Sequence, residues 1–255
     1  MNDERKSHLM RFLSKGIRYD GRKLDEFREI VVETNISKNA EGSARIKLGN
    51  TEILAGVKMS LEKPYPDTPE EGNLMVGAEL SPLSSARFES GPPGSESIEL
   101  ARVVDRGIRE SKAIDNKALC VTPGEKVWTV MVDIVSINAD GNLLDAASLG
   151  AIAAIKEARF PGFDGLKLDY KNRTNKPLPI RKVPIAVTIY KIGKYLLVDP
   201  SAEEEELVEA RLTVTSADGK LAALQKGGNY PLTLEEVDQM LELGIAKAKE
   251  LSKYL

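Results

Sequence analysis

The sequence predicts an α+β fold with mixed or antiparallel sheets, built as two halves on one plan, and three observations lead there. The elements run strands, helix, strand, helix, then strands and a last helix, which is not the strict alternation of a doubly wound fold. Short apolar runs are joined by Gly-Asn, Ile-Gly and Asp-Gly pairs, the signature of hairpins. At the centre, the stretch 127–161 couples a β-branched strand (Trp128, Val130, Val132 and Ile134, with Val127, Met131 and Val135) to a helix pattern from Leu143 to Ala158 that carries no charge between Ala146 and Ile155. A helix that is apolar on every side belongs inside a core, and this run is about half of the ~20 residues a membrane span needs.

In order along the chain, residues 1–15 predict a short helix with Leu9, Met10, Phe12 and Leu13 on one side, followed by a turn-rich connector from Gly16 to Arg22. Strands are predicted at 28–33, 44–47 and 51–58, the last two joined by Gly49-Asn50. Residues 62–73 are rich in proline and acids and predict an exposed loop, 74–80 a strand, and 81–97 a long Ser/Pro/Gly loop of the kind that is usually functional or mobile. A helix opens at Ser97-Ile98 and runs to about Ala113, with Ile98, Ala101, Val104 and Ile108 as its buried face and Arg102, Arg106 and Arg109 as a second stripe. The turn at Asn138 to Asn142 uses Asp-Gly, where glycine accepts positive φ at no steric cost. Residues 162–179 predict a polar loop carrying Lys167, Lys171, Arg173 and Lys176. Hairpins follow at 183–199 and 211–225, and Thr233 with Glu236 forms a capping box for a C-terminal helix burying Val237, Met240, Leu241, Ile245, Ala248 and Leu251. The expected division is 1–182 and 183–255, packed as one unit.

Composition narrows the chemistry. A net charge of −3 excludes an overall basic nucleic-acid binder while leaving local patches open. Cys120 and His8 stand alone, so no internal disulfide and no Cys/His metal cluster can form, and a Ser-His-Asp or Cys-His mechanism would hinge on a histidine in a polar N-terminal segment. The first ten residues are charged and lack an apolar signal region, which predicts a soluble cytoplasmic protein.

Several blocks occur together in a recognisable order: Asp20-Gly21-Arg22 ahead of a strand, the run from Gly42 to Thr51, the run from Ile98 to Arg106, and Asp140 to Ala146. In this the sequence resembles the RNase PH family from about Asp20 to the C-terminus, and more closely the non-catalytic RNase PH-like ring subunit of the archaeal exosome. The resemblance implies an RNase PH-like fold whose first half is similar to ribosomal protein S5 domain 2. It implies a six-membered ring with a catalytic paralogue, three copies of each, bearing RNA-binding cap subunits. Such a ring degrades single-stranded RNA from the 3′ end with inorganic phosphate, which would bind at the catalytic partner. No cofactor, metal or membrane is implied for this chain.

Phosphorolysis needs donors for phosphate and an acid for the leaving oxygen. Active members of the resembled family place a small donor-rich cluster at the start of the helix after the central strand. The matching residues here are Gly141, Asn142, Leu143, Leu144 and Asp145, where leucines stand for donors and Asp145 is expected to repel phosphate. Two spaced acids of active members fall on Glu205 and Arg211, and a guanidinium cannot give up a proton at neutral pH. Glu209 is expected on the opposite face, and Glu203 to Glu206 also read simply as first-turn acids behind the Ser201 cap. A phosphate-binding arginine of bacterial relatives falls on Glu96. Arg102, Arg106, Arg109 and, less directly, Arg87 are the implied RNA contacts; a solvated helix face is the alternative for the stripe. The competing functions are a phosphorolytic 3′-to-5′ exoribonuclease active by itself, and a scaffold without an RNA role.

Overall fold

The computed structural model describes residues 2–165 and 167–255, with side chains from Glu4 onward. The chain opens with helix α1 (Asn2–Leu13) and continues through β1 (Ile30–Thr34), β2 (Gly42–Leu48), β3 (Thr51–Glu62), β4 (Asn73–Glu79), α2 (Ser95–Glu110), β5 (Cys120–Thr122), β6 (Lys126–Asn138) and α3 (Leu143–Glu157). A two-stranded ribbon follows, β7 (Arg159–Phe163) and β8 (Leu168–Pro177). The rest comprises β9 (Ile185–Ile192), β10 (Tyr195–Val198), the short α4 (Ala202–Glu205), β11 (Ala210–Ala217), β12 (Lys220–Gly228) and α5 (Leu234–Leu251).

Besides the β7–β8 ribbon, two larger sheets form, in keeping with an α+β fold. The first has the order β1-β2-β3-β6-β4, with β5 folded back on β6; it is antiparallel except for the parallel pair β4–β6, so it is mixed. The second is antiparallel, β10-β9-β11-β12. Strand β3 alternates buried and half-buried residues along nearly its whole length, so one face of the first sheet looks into the core. Helix α3 lies where both sheets reach it, against β2 and β3 on one side and β9 on the other, and every residue from Leu143 to Ile155 is buried. Its small residues permit this. A Cβ on Gly42 of β2 would sit 2.2 Å from the carbonyl oxygen of Ala154, so strand and helix backbones nearly touch.

Helix α5 covers β9 and β11, with Met240, Gly244, Ala248 and Leu251 buried and Val237, Leu241 and Ile245 half-buried beside them. Its Thr233–Glu236 capping box is present in full. Helix α1 packs Leu9 and Leu13 into a smaller cluster with Tyr190, Ile192, Leu197 and Leu207.

Two expectations are corrected. The buried face of α2 is Ser97, Leu100, Val103, Val104, Gly107 and Ile108; Ile98 is exposed and Ala101 half-buried. The helix begins at Ser95, and its inner face is set by β4, α3 and β12, which together select a stripe rotated from the one the apolar residues suggest. The polar segment 162–179 is largely the ribbon β7–β8 rather than a loop. Nearly all of β8 faces solvent, so no buried face imposes the alternation by which a strand is read.

Candidate functional site: the cleft at the start of helix α3

The turn into α3 uses two residues in the left-handed region, Gly141 (φ 81°) and Asn142 (φ 53°). A Cβ on Gly141 would lie 2.3 Å from the carbonyl oxygen of Pro200, so only glycine lets the turn close against the segment leading into α4. That contact brings the starts of α3 and α4 together.

Beneath the turn is a buried polar network. Asn142 Nδ2 donates to Asp145 Oδ2 and to Asp199 Oδ1, both at 3.1 Å, and Asn142 Oδ1 accepts from the Tyr190 hydroxyl at 3.0 Å. Asp145 Oδ1 accepts from the Thr188 N–H at 2.8 Å. Burial pushes the Asp145 carboxyl up to about 8, against the hydrogen bonds from Thr188 and Asn142. Asp199 is held from the other side by Arg28 (Nη2 to Oδ1 2.7 Å, Nε to Oδ2 2.9 Å) and by Arg22 (Nη1 to Oδ2 3.0 Å). Burial works against the Arg28 charge, but its hydrogen bond to Asp199 and the field of Asp199 and Asp140 raise its pKa. Nearby, Arg18 is fully buried; it donates through Nε to Glu204 Oε1 at 2.9 Å, through Nη2 to Glu204 Oε2, and to the carbonyls of Val198 and Asp199. Glu204 also closes the Ser201 capping box. This network ties the connector 18–28, the start of α3 and the segment before α4 into one knot.

Above the turn opens a cleft of about 290 Å³. Of the residues singled out by sequence, Arg87, Glu96, Leu143, Leu144, Glu205 and Arg211 line it together, with Glu99 and Tyr190. Asn142 lies just beneath, fully buried. Leu143 and Leu144, 7% and 9% exposed, wall off the first turn of α3. Glu205 points its carboxylate at that turn, and Oε1 accepts from the Asn142 N–H at 3.3 Å. Burial raises the Glu205 pKa, opposed by the Asn142 N–H and by the charges of Arg87 and Arg211. Arg211 Nη2 is paired with Glu99 Oε1 at 2.7 Å. Arg87 lies 3.7 Å from Glu96 Oε2 and over the Phe88 ring at 4.9 Å.

The chemistry of this arrangement runs against anions. A helix N-terminus attracts a negative charge, but here the chain's own carboxylate already lies there. Three carboxylates face two guanidiniums, and each guanidinium already has a carboxylate partner, Arg211 at 2.7 Å and Arg87 at 3.7 Å. The hydroxyl of Tyr190 is spent on Asn142. Among the described residues no group of His, Cys, Asp and Glu is placed to hold a metal ion, and no helix is long and apolar enough to cross a membrane.

Several readings are refined here. Glu205 is both a residue of the capped acidic turn and a cleft residue. Glu209 does face away: it pairs with Lys6 of α1 and accepts from the Gly193 N–H at 2.9 Å. Asp145, in contrast, cannot repel a ligand in the cleft, because it is buried against β9 rather than turned toward the opening. The knot of Arg18, Arg28, Asp199 and Tyr190 lies outside the residues that the sequence singles out. The sequence signal was the Asp20-Gly21-Arg22 block, which fixes the turn between Arg18 and Arg28: Asp20 Oδ2 accepts from Arg22 Nε at 2.7 Å.

The arginine stripe lies on the exposed side of α2. Arg102 has no partner among the described residues. Among the described residues Arg106 reaches only Gln225 Oε1, at 3.5 Å. Arg109 is different: it grips both oxygens of Asp105 (Nη2 2.7 Å, Nε 3.1 Å) and donates to the Leu74 carbonyl. The hydrogen bond to Asp105 raises its pKa. Arg102 and Arg106 are therefore available cations and Arg109 is a neutralised one.

Comparison with known proteins places this geometry. Sequence models of the 3′ exoribonuclease family match twice, domain 1 (RNase PH) over residues 26–161 and domain 2 (RNase PH, C-terminal) over 182–247. An exosome complex component Rrp42 from Methanosarcina acetivorans is 47% identical over 249 residues, covering 97% of this chain and 91% of the relative. A chain of the Archaeoglobus fulgidus exosome with RNA bound to the active site superposes with a TM-score of 0.92 at 45% identity, covering 99% of this chain and 98% of that one. A chain of an archaeal exosome core gives 0.86 at 41% identity, covering 99% and 97%.

Proposed function

The chain belongs to the RNase PH family of 3′ exoribonucleases, and from that membership we propose that it is a non-catalytic ring subunit of an archaeal-type exosome. In this reading it alternates with a catalytic RNase PH-like paralogue, three copies of each, beneath RNA-binding cap subunits in the cytoplasm. The ring shortens single-stranded RNA from its 3′ end with inorganic phosphate, and the phosphate binds at the paralogue. The strong likeness to exosome components over nearly the whole chain supports the assembly.

The observation that carries the non-catalytic part is the start of α3. Where an anion would be held, Glu205 presents a carboxylate to the Asn142 N–H, and Leu143 and Leu144 close the remaining approach. A phosphate entering there would meet a negative charge and apolar walls, with Arg211 already engaged by Glu99. The position of the second acid is Arg211, which cannot protonate a leaving oxygen.

What this chain contributes to the reaction is binding. Arg102 and Arg106 project unneutralised from α2 and are the phosphate contacts of the RNA path; Arg87, at the mouth of the cleft, extends it. Arg109 plays a lesser part because Asp105 cancels it. Such contacts are blind to base identity, as a processive nuclease requires. Replacing Arg102 and Arg106 together by alanine in the assembled complex tests this: the log–log salt slope of RNA binding should become shallower by about 1.4, two phosphates at ~0.7 each for a single strand. An unchanged slope and affinity would remove both arginines from the RNA path.

A further inference from the structure

We propose that the β7–β8 ribbon is a second single-stranded RNA-binding surface, apart from the α2 arginines and from the cleft. The argument begins with charge. Between Arg159 and Pro177 the sequence carries five basic side chains and two acidic ones, in a chain whose net charge is −3. The ribbon is therefore net positive within a chain that is net negative.

The two arginines are bonded to backbone carbonyls, and Lys176 lies 5.0 Å from the Phe160 ring centre; the three lysines carry the outward charge. Lys167, Lys171 and Lys176 are exposed, and among the described residues none of them is paired with a carboxylate. The ribbon's two acids turn onto its own backbone instead: Asp164 accepts from the Lys167 N–H at 2.7 Å, and Asp169 from the Lys171 N–H at 2.9 Å and the Asn172 side chain at 2.8 Å. Arg173 points back to the carbonyls of Ser37 and Lys38, which anchors the ribbon to the body and leaves the lysines outward.

The aromatic residues divide in the same way. Phe160 and Phe163 pack edge-on against Trp128, with ring centres 5.1 and 6.0 Å away, and root the ribbon on β6. Tyr170 remains 47% exposed, with the Lys58 ammonium 4.8 Å from its ring centre. Lys58 is itself paired with Glu41 at 2.8 Å, so the cations left for phosphates are the ribbon's own lysines; an exposed ring on a ribbon that carries them suits a single-stranded polynucleotide, the lysines taking phosphates and the ring stacking a base without selecting it. The choice of RNA as the polyanion rests on the proposed function above.

The location makes this a separate surface. The cleft is at the N-terminus of α3, whereas the ribbon leaves from its C-terminus. Fifteen helical residues at ~1.5 Å each put the two roughly 22 Å apart.

The test is fluorescence anisotropy of a labelled oligoadenylate with the assembled complex, titrated across salt. Three variants are compared: K167A/K171A/K176A, Y170A, and a charge-matched control, K220A/K249A/K253A, whose lysines are exposed elsewhere. The ribbon triple should flatten the log–log salt slope by about 2, three phosphates at ~0.7 each. Y170A should weaken binding roughly fivefold or more with little change of slope. The control should leave both unchanged. Equal effects of the ribbon and control triples would reduce the surface to bulk electrostatics and overturn the proposal. So would ribbon variants that bind RNA normally, including a case where they lose only an acidic protein partner. The R102A/R106A variant in the same titration keeps the readings distinct, since its response depends on α2 and not on the ribbon.

Discussion

The buried Asp145 gives a stability curve whose sign can be worked out in advance. Its carboxyl is pushed from 3.8 up to about 8 by burial, and the groups facing it are the Thr188 N–H, the Asn142 amide and, through that amide, Asp199. A group bound more tightly to its proton in the folded state stabilises the fold fully below its unfolded pKa, and that stability is lost as pH rises toward its folded pKa. A tenfold change in proton affinity is about 1.4 kcal/mol, so the span from 3.8 to about 8 removes at most about 6 kcal/mol by pH 8. Asp145→Asn has no proton to lose. Its carbonyl can still accept from Thr188, but its NH₂ would face the Asn142 NH₂, leaving donors unmet at a cost of about 1–3 kcal/mol. The variant should therefore be the less stable protein at about pH 4, cross the wild type near pH 5, and exceed it by about 3–5 kcal/mol at pH 9. Denaturant midpoints of both proteins from about pH 4 to about pH 9 read this out. Wild-type stability that is flat between pH 5 and 8, with the variant below it throughout, would mean that Asp145 is ionised in the folded chain and that the reasoning fails.

The other expectations concern the same knot and the core beneath it. Glu204→Ala leaves the Arg18 guanidinium buried without its carboxylate, which should cost about 3–5 kcal/mol in denaturant midpoint; a loss near zero would mean that the pair is open to water. Glu205→Gln removes a carboxylate whose pKa burial has raised, so the stability that wild type loses as pH climbs above 4.5 should be retained in the variant, while the isolated chain should remain unable to degrade RNA. Gly42→Ala would place a methyl 2.2 Å from the Ala154 carbonyl oxygen and should lower the thermal midpoint by the equivalent of about 1–3 kcal/mol. Gly150→Ala should cost less, because at 2.4 Å it meets the end of the Ile53 side chain rather than backbone.

The parts of the fold that are legible in the sequence are those where one strong local signal decides. Helix α3 carries no charge over ten residues and is buried on all sides, and the hairpins carry their turn residues at Gly49, Gly193 and Gly219. The cleft positions Glu96, Leu143, Leu144, Glu205 and Arg211 were placed through the family resemblance, and the fold does bring them together. Three things were not legible. The inner face of α2 is chosen by its neighbours, and Gly107 and Ser97 are buried while Ile98 is not, which inverts what hydrophobicity alone indicates. The ribbon has no buried face to give it a period. The outward-seeming charges Arg18, Glu204 and Asp199 are satisfied only across a separation of about 180 residues, and pairing at that distance leaves no trace in local pattern.

The proposed division of labour is decided by phosphate-dependent decay of a 5′-labelled RNA with a free 3′ end, followed with this chain alone, with the catalytic paralogue alone, and with the two assembled. Glu205 at the start of α3 and Arg211 in place of an acid require that this chain alone releases no nucleoside diphosphate, while the assembled pair degrades RNA faster than the paralogue alone. Phosphorolysis by this chain alone, in a preparation free of contaminating nuclease, would contradict the reading of the cleft and return Glu205 to the role of a catalytic acid.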